Sequence, residues 1–293
     1  MKSNKHVLFG SKTNKQSGFA HLGLVVIALI ATAAIGFAAW RVMDSSKKDS
    51  PKSVNDGSSQ KADSKQESSG DTVSWSWAGN KWSPSSTPPA CKEPLKFSVT
   101  PTETSLVSGI LYPGQSRGGN YKPHGGFKLN TSSNTANVKA IMDGAVVSGA
   151  RYIEGGEVQY MFTIVNDCGI AYRYDHLLEL SPVFKELAST LPEAKVDDSR
   201  TTNFSKTTQV KAGDVIATAI GFKKTANYTF DLGVYDYRQQ NSAAKNGKLG
   251  GVNLPDLSQA GYALCWLDMF EGADFSILPA VDATAGKTSD YCN

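Results

Sequence analysis

The sequence predicts an all-β domain with one inserted short helix, preceded by a single transmembrane helix. Three observations carry that prediction. Residues 19–40, FAHLGLVVIALIATAAIGFAAW, form an apolar run without a charged side chain. Beyond residue 95 the chain is a succession of short β-rich stretches punctuated by Gly, Asn and Asp. Only 181–191, SPVFKELASTL, has a helical pattern, with Ser181 placed as N-cap and Pro182 in the first turn.

The 22 residues of the apolar run would span roughly 33 Å as a helix, the thickness of a bilayer core. That is longer than the apolar part of a signal peptide, which favours a retained anchor. Lys2, Lys5, Lys12 and Lys15 precede it and Arg41, Lys47 and Lys48 follow, a slight bias toward a cytoplasmic N-terminus. Gly18 and Phe19 also resemble the cleavage point of type IV prepilins, but Gly23 stands where those proteins carry glutamate. Residues 1–18 are therefore expected to be a short cytoplasmic segment. Residues 19–40 are the anchor of a single-pass cell-membrane protein, and the rest is extracellular. Residues 41–73 read as a disordered linker: nine of the 29 residues in 44–72 are Ser and none is aromatic. Such a stretch buries too little surface to fold.

The net charge of +3 is unevenly placed. Residues 1–50 hold seven Lys and Arg against two Asp and Glu, which leaves 23 basic and 25 acidic residues in the remainder. A nearly neutral folded part argues against a nucleic-acid partner. Four cysteines, Cys91, Cys168, Cys265 and Cys292, all follow the apolar run, and none forms a C-x-x-C pair. That spacing argues against a cysteine zinc site, and an even count in an exported domain favours disulfides, with three possible connectivities. A Cys265–Cys292 bridge is expected because it would staple down the C-terminal tail.

Residues 74–109 form a Trp-rich extension. The alternation of Trp75 and Trp77 fits a strand that packs its indoles on the domain; with Trp82 the group also suits a carbohydrate-stacking surface. Further along, 138–150 reads as a strand, an Asp-Gly turn and a strand. Residues 157–177 read as two strands around an Asn-Asp-Cys-Gly turn, and 207–221 as two strands around a Gly-Asp turn. Residues 227–238 alternate with period two, the mark of a strand with one buried face.

Five of these stretches carry a resemblance. In order they are HGGFK (124–128), MDGAVVSGA (142–150), YDHL (174–177), VKAGDVIATAIG (210–221) and TFDLGV (229–234). Their order and spacing resemble the lysostaphin-type, LytM-like zinc peptidoglycan endopeptidases, over roughly residues 110–238. The resemblance implies a compact antiparallel two-sheet β fold for 110–243; residues 244–293, which carry two of the four cysteines, have no counterpart in it and form a C-terminal extension. It also implies a metal site. In that family zinc is held by the histidine and aspartate of the first motif and the second histidine of the last. The first histidine of the last motif and the Y-x-H histidine serve the water and the substrate carbonyl.

On this chain His124 and His176 match, Lys128 replaces the aspartate, and Thr229 and Asp231 replace the two histidines of the last motif. His124 and Asp231 are acceptable metal ligands; an ammonium has no lone pair to offer. Lys128 and Thr229 are thus degenerate positions, and a Lys128–Asp231 ion pair is expected to replace the metal. Asp236 and Arg238 are candidates for contacts in the groove. The sequence therefore implies a membrane-anchored cell-envelope protein, metallopeptidase-like but non-catalytic, that binds peptidoglycan or an envelope protein without a cofactor. The alternative is an active zinc metallopeptidase of peptidoglycan peptides that uses His124, Asp231 and His176.

Overall fold

The computed structural model describes residues 72–249 and 257–292. The expected cytoplasmic segment (1–18), anchor (19–40) and linker up to residue 71 lie outside the described residues. Among the described residues no helix is long and apolar enough to cross a membrane.

The chain opens with a hairpin of β1 (Trp75–Trp77) and β2 (Trp82–Pro84). Strand β3 (Val107–Leu111) follows, then a second hairpin, β4 (Gln115–Arg117) and β5 (Asn120–Lys122). Next come β6 (Gly125–Leu129), β7 (Thr135–Lys139), β8 (Gly144–Glu154), β9 (Glu157–Val165) and β10 (Ile170–Leu180). Helix α1 (Pro182–Ser189) leads to β11 (Lys195–Val196), β12 (Thr202–Val210), β13 (Val215–Ile220) and β14 (Thr229–Asp236). Two four-residue helices, α2 (Ser242–Lys245) and α3 (Leu257–Ala260), lie in the C-terminal extension.

The mostly-β expectation holds, with four corrections. The expected two sheets are one continuous hydrogen-bonded sheet of ten strands, in the order β11-β8-β9-β10-β14-β6-β3, with β12 beside β8 and β13 joining β10 to β7. The reason is strand length. Strands β8 and β10, of 11 residues each, change partner part-way along. Residues 170–175 of β10 pair with β14, and residues 177–180 pair with β13. The sheet is also mixed, because β11 runs parallel to β8. Helix α1 is the inserted helix, with Ser181 at its N-cap, but α2 and α3 add to it. The Asp-Gly and Gly-Asp stretches turn the chain without forming hairpins: β7 pairs with β13, and β12 with β8. Their loops meet where the Asp143 carboxylate accepts from the Ala212 N–H at 2.8 Å and from Lys211 Nζ at 2.9 Å.

Period-two alternation sorts the side chains. Ile170, Tyr172 and Tyr174 on β10, Phe230, Leu232 and Val234 on β14, and Phe127 and Leu129 on β6 face the core. The intervening Arg173, Asp175 and Asp231 face the other side, which is where the cleft described below opens. The C-terminal extension shares this core. Trp266 is fully buried 4.9 Å from the Phe127 ring, and Phe275 packs edge-on against that ring at 4.9 Å.

Two disulfides tie in the extensions, Cys91–Cys168 and the expected Cys265–Cys292. The tryptophans act as packing groups. Trp82 stacks on Tyr237 at 3.7 Å and donates from its indole to the Ser258 carbonyl at 2.9 Å, and Trp77 meets Tyr262 edge-on.

Replacing Cys265 and Cys292 together with Ala removes a cross-link of sequence separation 27. The expected loss is about 3–4 kcal/mol from loop entropy, read as a lower urea midpoint, with the tail cut first in limited proteolysis. An unchanged midpoint would show that packing alone holds the tail.

Candidate functional site

A cleft of about 1000 Å³ opens on the sheet face that carries Arg173, Asp175 and Asp231. Its walls come from β5, from the loop 197–201 after β11, and from Gln259 and Ala260 of α3. Its floor is built by register. Asp231 on β14 lies opposite Gly126 on β6 and Asp175 on β10. His124, two residues before Gly126, shares that face.

The glycines of the HGG stretch are required by contact. A Cβ on Gly126 would lie 2.7 Å from Asp231 Oδ1, and one on Gly125 would overlap the Leu111 carbonyl and the Trp266 ring. Backbone and carboxylate approach too closely there for any side chain.

His176 reaches the floor by a different device. Strict alternation would point it away from Asp175. The register of β10 against β9 shifts between Tyr174 and Leu177, and His176 has φ +58°. A bulge with one left-handed residue re-aims the side chain at a cost of about 1–2 kcal/mol. The Asp175 carboxylate supports it, accepting from the His176 N–H at 2.8 Å and from the Tyr152 hydroxyl at 2.5 Å.

Asp231 Oδ2 lies 3.1 Å from His124 Nε2 and 3.7 Å from His176 Nε2. On the other side of the His124 ring, Arg173 Nη2 lies 2.6 Å from Nδ1. A guanidinium only donates, so Nδ1 accepts, and the neutral ring carries its proton on Nε2 and donates it to Asp231. Arg173 also donates from Nη1 to Gln259 Oε1 at 2.8 Å, and Arg117 donates to the His124 carbonyl at 3.0 Å.

These contacts set the charges. Burial first, and then the Arg173 charge, push His124 down to about 4 against the pull of Asp231. Burial alone would raise Asp231, but His124, His176 and Arg117 outweigh it and hold the carboxyl well below the usual range. Burial also opposes the charge of His176, yet Asp175, Asp231 and Glu154 shift it upward.

The structure brings His124, Asp231 and His176 together and leaves the other sequence candidates outside. The expected Lys128–Asp231 pair does not form. Lys128 is exposed, paired in register with Thr229 further along the strands, while Asp231 is engaged by the two histidines. A hydrated ammonium on a flexible stem stays in solvent when its partner is already satisfied. Asp236 and Arg238 are not groove residues. They pair with each other at 2.8 Å, and Arg238 also reaches Glu93 at 3.2 Å, because Asp236 ends β14 beyond the cleft.

Sequence reasoning missed Arg173, Asp175, Tyr152, Arg117 and Gln259. For Arg173 a signal existed: it is a charged residue inside an apolar strand, in phase with Asp175 in IAYRYDHLL.

His124 presents a proton, not a lone pair, toward Asp231, the opposite of what a zinc ligand offers. The floor can instead act as a fixed array of donors and charges.

A pH dependence follows. Folded His124 binds its proton only near pH 4, whereas an unfolded histidine does so near 6.5. Its contribution to stability is full above about pH 6.5 and is lost as pH falls toward 4, on the order of 2–4 kcal/mol. His176, shifted upward, contributes with the opposite sign. Urea unfolding of wild type and His124→Gln from pH 7.5 to 4 should show a shallower acid loss in the variant. Parallel curves would remove His124 as the source.

No protein-family model and no curated protein matches the sequence. Among solved structures the chain is similar to the NMR solution structure of lysostaphin, with a TM-score of 0.35 and 14% sequence identity over 66% of this chain. The match takes in 62% of the lysostaphin chain.

Proposed function

We propose that this chain is a membrane-anchored cell-envelope protein whose β domain is a non-catalytic, lysostaphin-type binding module for peptidoglycan or an envelope protein. The observation that carries this reading is the contact of Arg173 with His124 Nδ1, which leaves the histidine without a lone pair for a metal. The five ordered motifs support the hydrolase-like scaffold, and two disulfides fit an oxidising, extracytoplasmic compartment. A cleft of about 1000 Å³ has room for a polymer segment.

The second reading is an active zinc metallopeptidase of peptidoglycan peptides. The convergence of His124, Asp231 and His176 favours it, but it requires His124 to shed the Nε2 proton.

Purified peptidoglycan separates the two. The full-length chain should pellet with it equally with and without a chelator, and release no soluble muropeptides. Lys122→Glu in the cleft wall should lower the pelleted fraction severalfold with an unchanged melting temperature. Chelator-sensitive release of muropeptides would establish the second reading, and no pelleting at all would sink peptidoglycan as the ligand.

A further inference from the structure

We propose that Arg173 is the internal cation of this cleft, a positioning residue that locks His124 in the Nε2–H tautomer and so keeps divalent metals out of the His124–Asp231–His176 cluster. This rests on the metal-free reading above and assigns its cause to one side chain.

Spacing alone would not exclude an ion. Ligand atoms about 2.0–2.2 Å from a tetrahedral metal lie roughly 3.3–3.6 Å from one another. Asp231 Oδ2 is 3.1 Å from His124 Nε2 and 3.7 Å from His176 Nε2. Proton placement makes the difference. A metal-bound histidine ordinarily donates its second N–H to a carboxylate or carbonyl, which fixes the other nitrogen as the ligand. Here the group at the second nitrogen is itself a donor, 2.6 Å away. With a metal on Nε2 and a guanidinium on Nδ1, the ring would have to be an imidazolate. The polarity of the usual arrangement is reversed.

Charge points the same way. Arg173 and Arg117 already face Asp231 on the floor, so a divalent ion there would meet two guanidinium charges of its own sign.

Arg173 is also held for this task. Its Nη1 donates to Gln259 Oε1 at 2.8 Å, and the same oxygen accepts from the Tyr235 hydroxyl at 3.3 Å. Gln259 is on α3, where the next residue's carbonyl accepts from Tyr291 at 2.8 Å and from Asn241 at 2.8 Å. The C-terminal extension therefore sets the guanidinium in place. Arg173 Nε is buried without a hydrogen-bond partner. Such a donor is destabilising, which argues for a role other than stability.

Two measurements on the full-length chain test the proposal. Long-range ¹H–¹⁵N NMR at pH 7, on a chain with only four histidines, should show a neutral His124 with its proton on Nε2. A proton on Nδ1, or on both nitrogens, overturns the proposal.

Zinc calorimetry compares wild type, Arg173→Lys and Arg173→Gln. The amide oxygen of Gln can accept from Nδ1–H and free Nε2. Arg173→Gln should therefore gain at least the roughly 10–100-fold in zinc affinity that an outer partner of a ligating histidine controls. The gain should vanish when His124→Ala is added. Arg173→Lys keeps a donor and a cation and should behave as wild type. Stoichiometric, tight zinc binding by the wild type defeats both this proposal and the metal-free reading. No binding by the wild type with no gain in Arg173→Gln defeats the Arg173 proposal alone. If Arg173→Gln does not fold, the wild-type tautomer decides.

Discussion

Asp231 is a carboxylate with 7% of its surface exposed, set in the middle of a β-sheet, and the cleft is arranged around the need to keep it ionised there. An isolated buried carboxylate is costly, and either gathers partners or takes up a proton. Asp231 gathers His124 and His176 on one oxygen, with Arg173 and Arg117 behind them. Each partner constrains the backbone in turn. Gly126 must lack a side chain because the carboxylate lies over it, and His176 must adopt a left-handed conformation to face the floor at all.

The same requirement links the floor to distant parts of the chain. Arg173 is oriented by Gln259, which belongs to an extension with no counterpart among the five motifs. That extension is fixed by Trp266, Phe270 and Phe275 in the common core and by the Cys265–Cys292 bridge. On the N-terminal side the Trp75–Trp82 hairpin packs on Tyr237 and Tyr262, next to β14 and α3. Aromatic packing is the physical means by which both extensions stiffen the sheet that carries the site. A rigid floor is what a fixed array of donors and charges needs in order to select a ligand.

The fold was legible where the sequence has a strong period. The alternation in FDLGVYD placed β14, the Asn-Asp-Cys-Gly turn separated β9 from β10, and the Ser-Pro start placed α1. Pairing was less legible. The Asp-Gly and Gly-Asp turns look like hairpins, yet their strands pair elsewhere, because a two-residue turn limits only direction while partner choice depends on burial of the whole sheet. The candidate site was half legible. His124, His176 and Asp231 emerged from motif positions, whereas the Lys128–Asp231 pair was inferred from substitution at matched positions, without knowledge that two histidines already filled the carboxylate's coordination. Arg173 had a signal in its phase with Asp175, but nothing local connects it to His124, 49 positions away.

The sequence by itself determined a mostly-β domain, the phase of its buried faces, the reactive types at motif positions and a cysteine set suited to bridges. These follow from chain-local physics: period, propensity and donor chemistry read one residue at a time. Only the tertiary structure decided that ten strands share one sheet, which cysteines pair, and that an arginine from one strand meets the second nitrogen of His124. A proton's position on an imidazole depends on what faces both of its nitrogens. Those neighbours come from β10, β14 and, through Gln259, the C-terminal extension, and the chain brings them together only when folded.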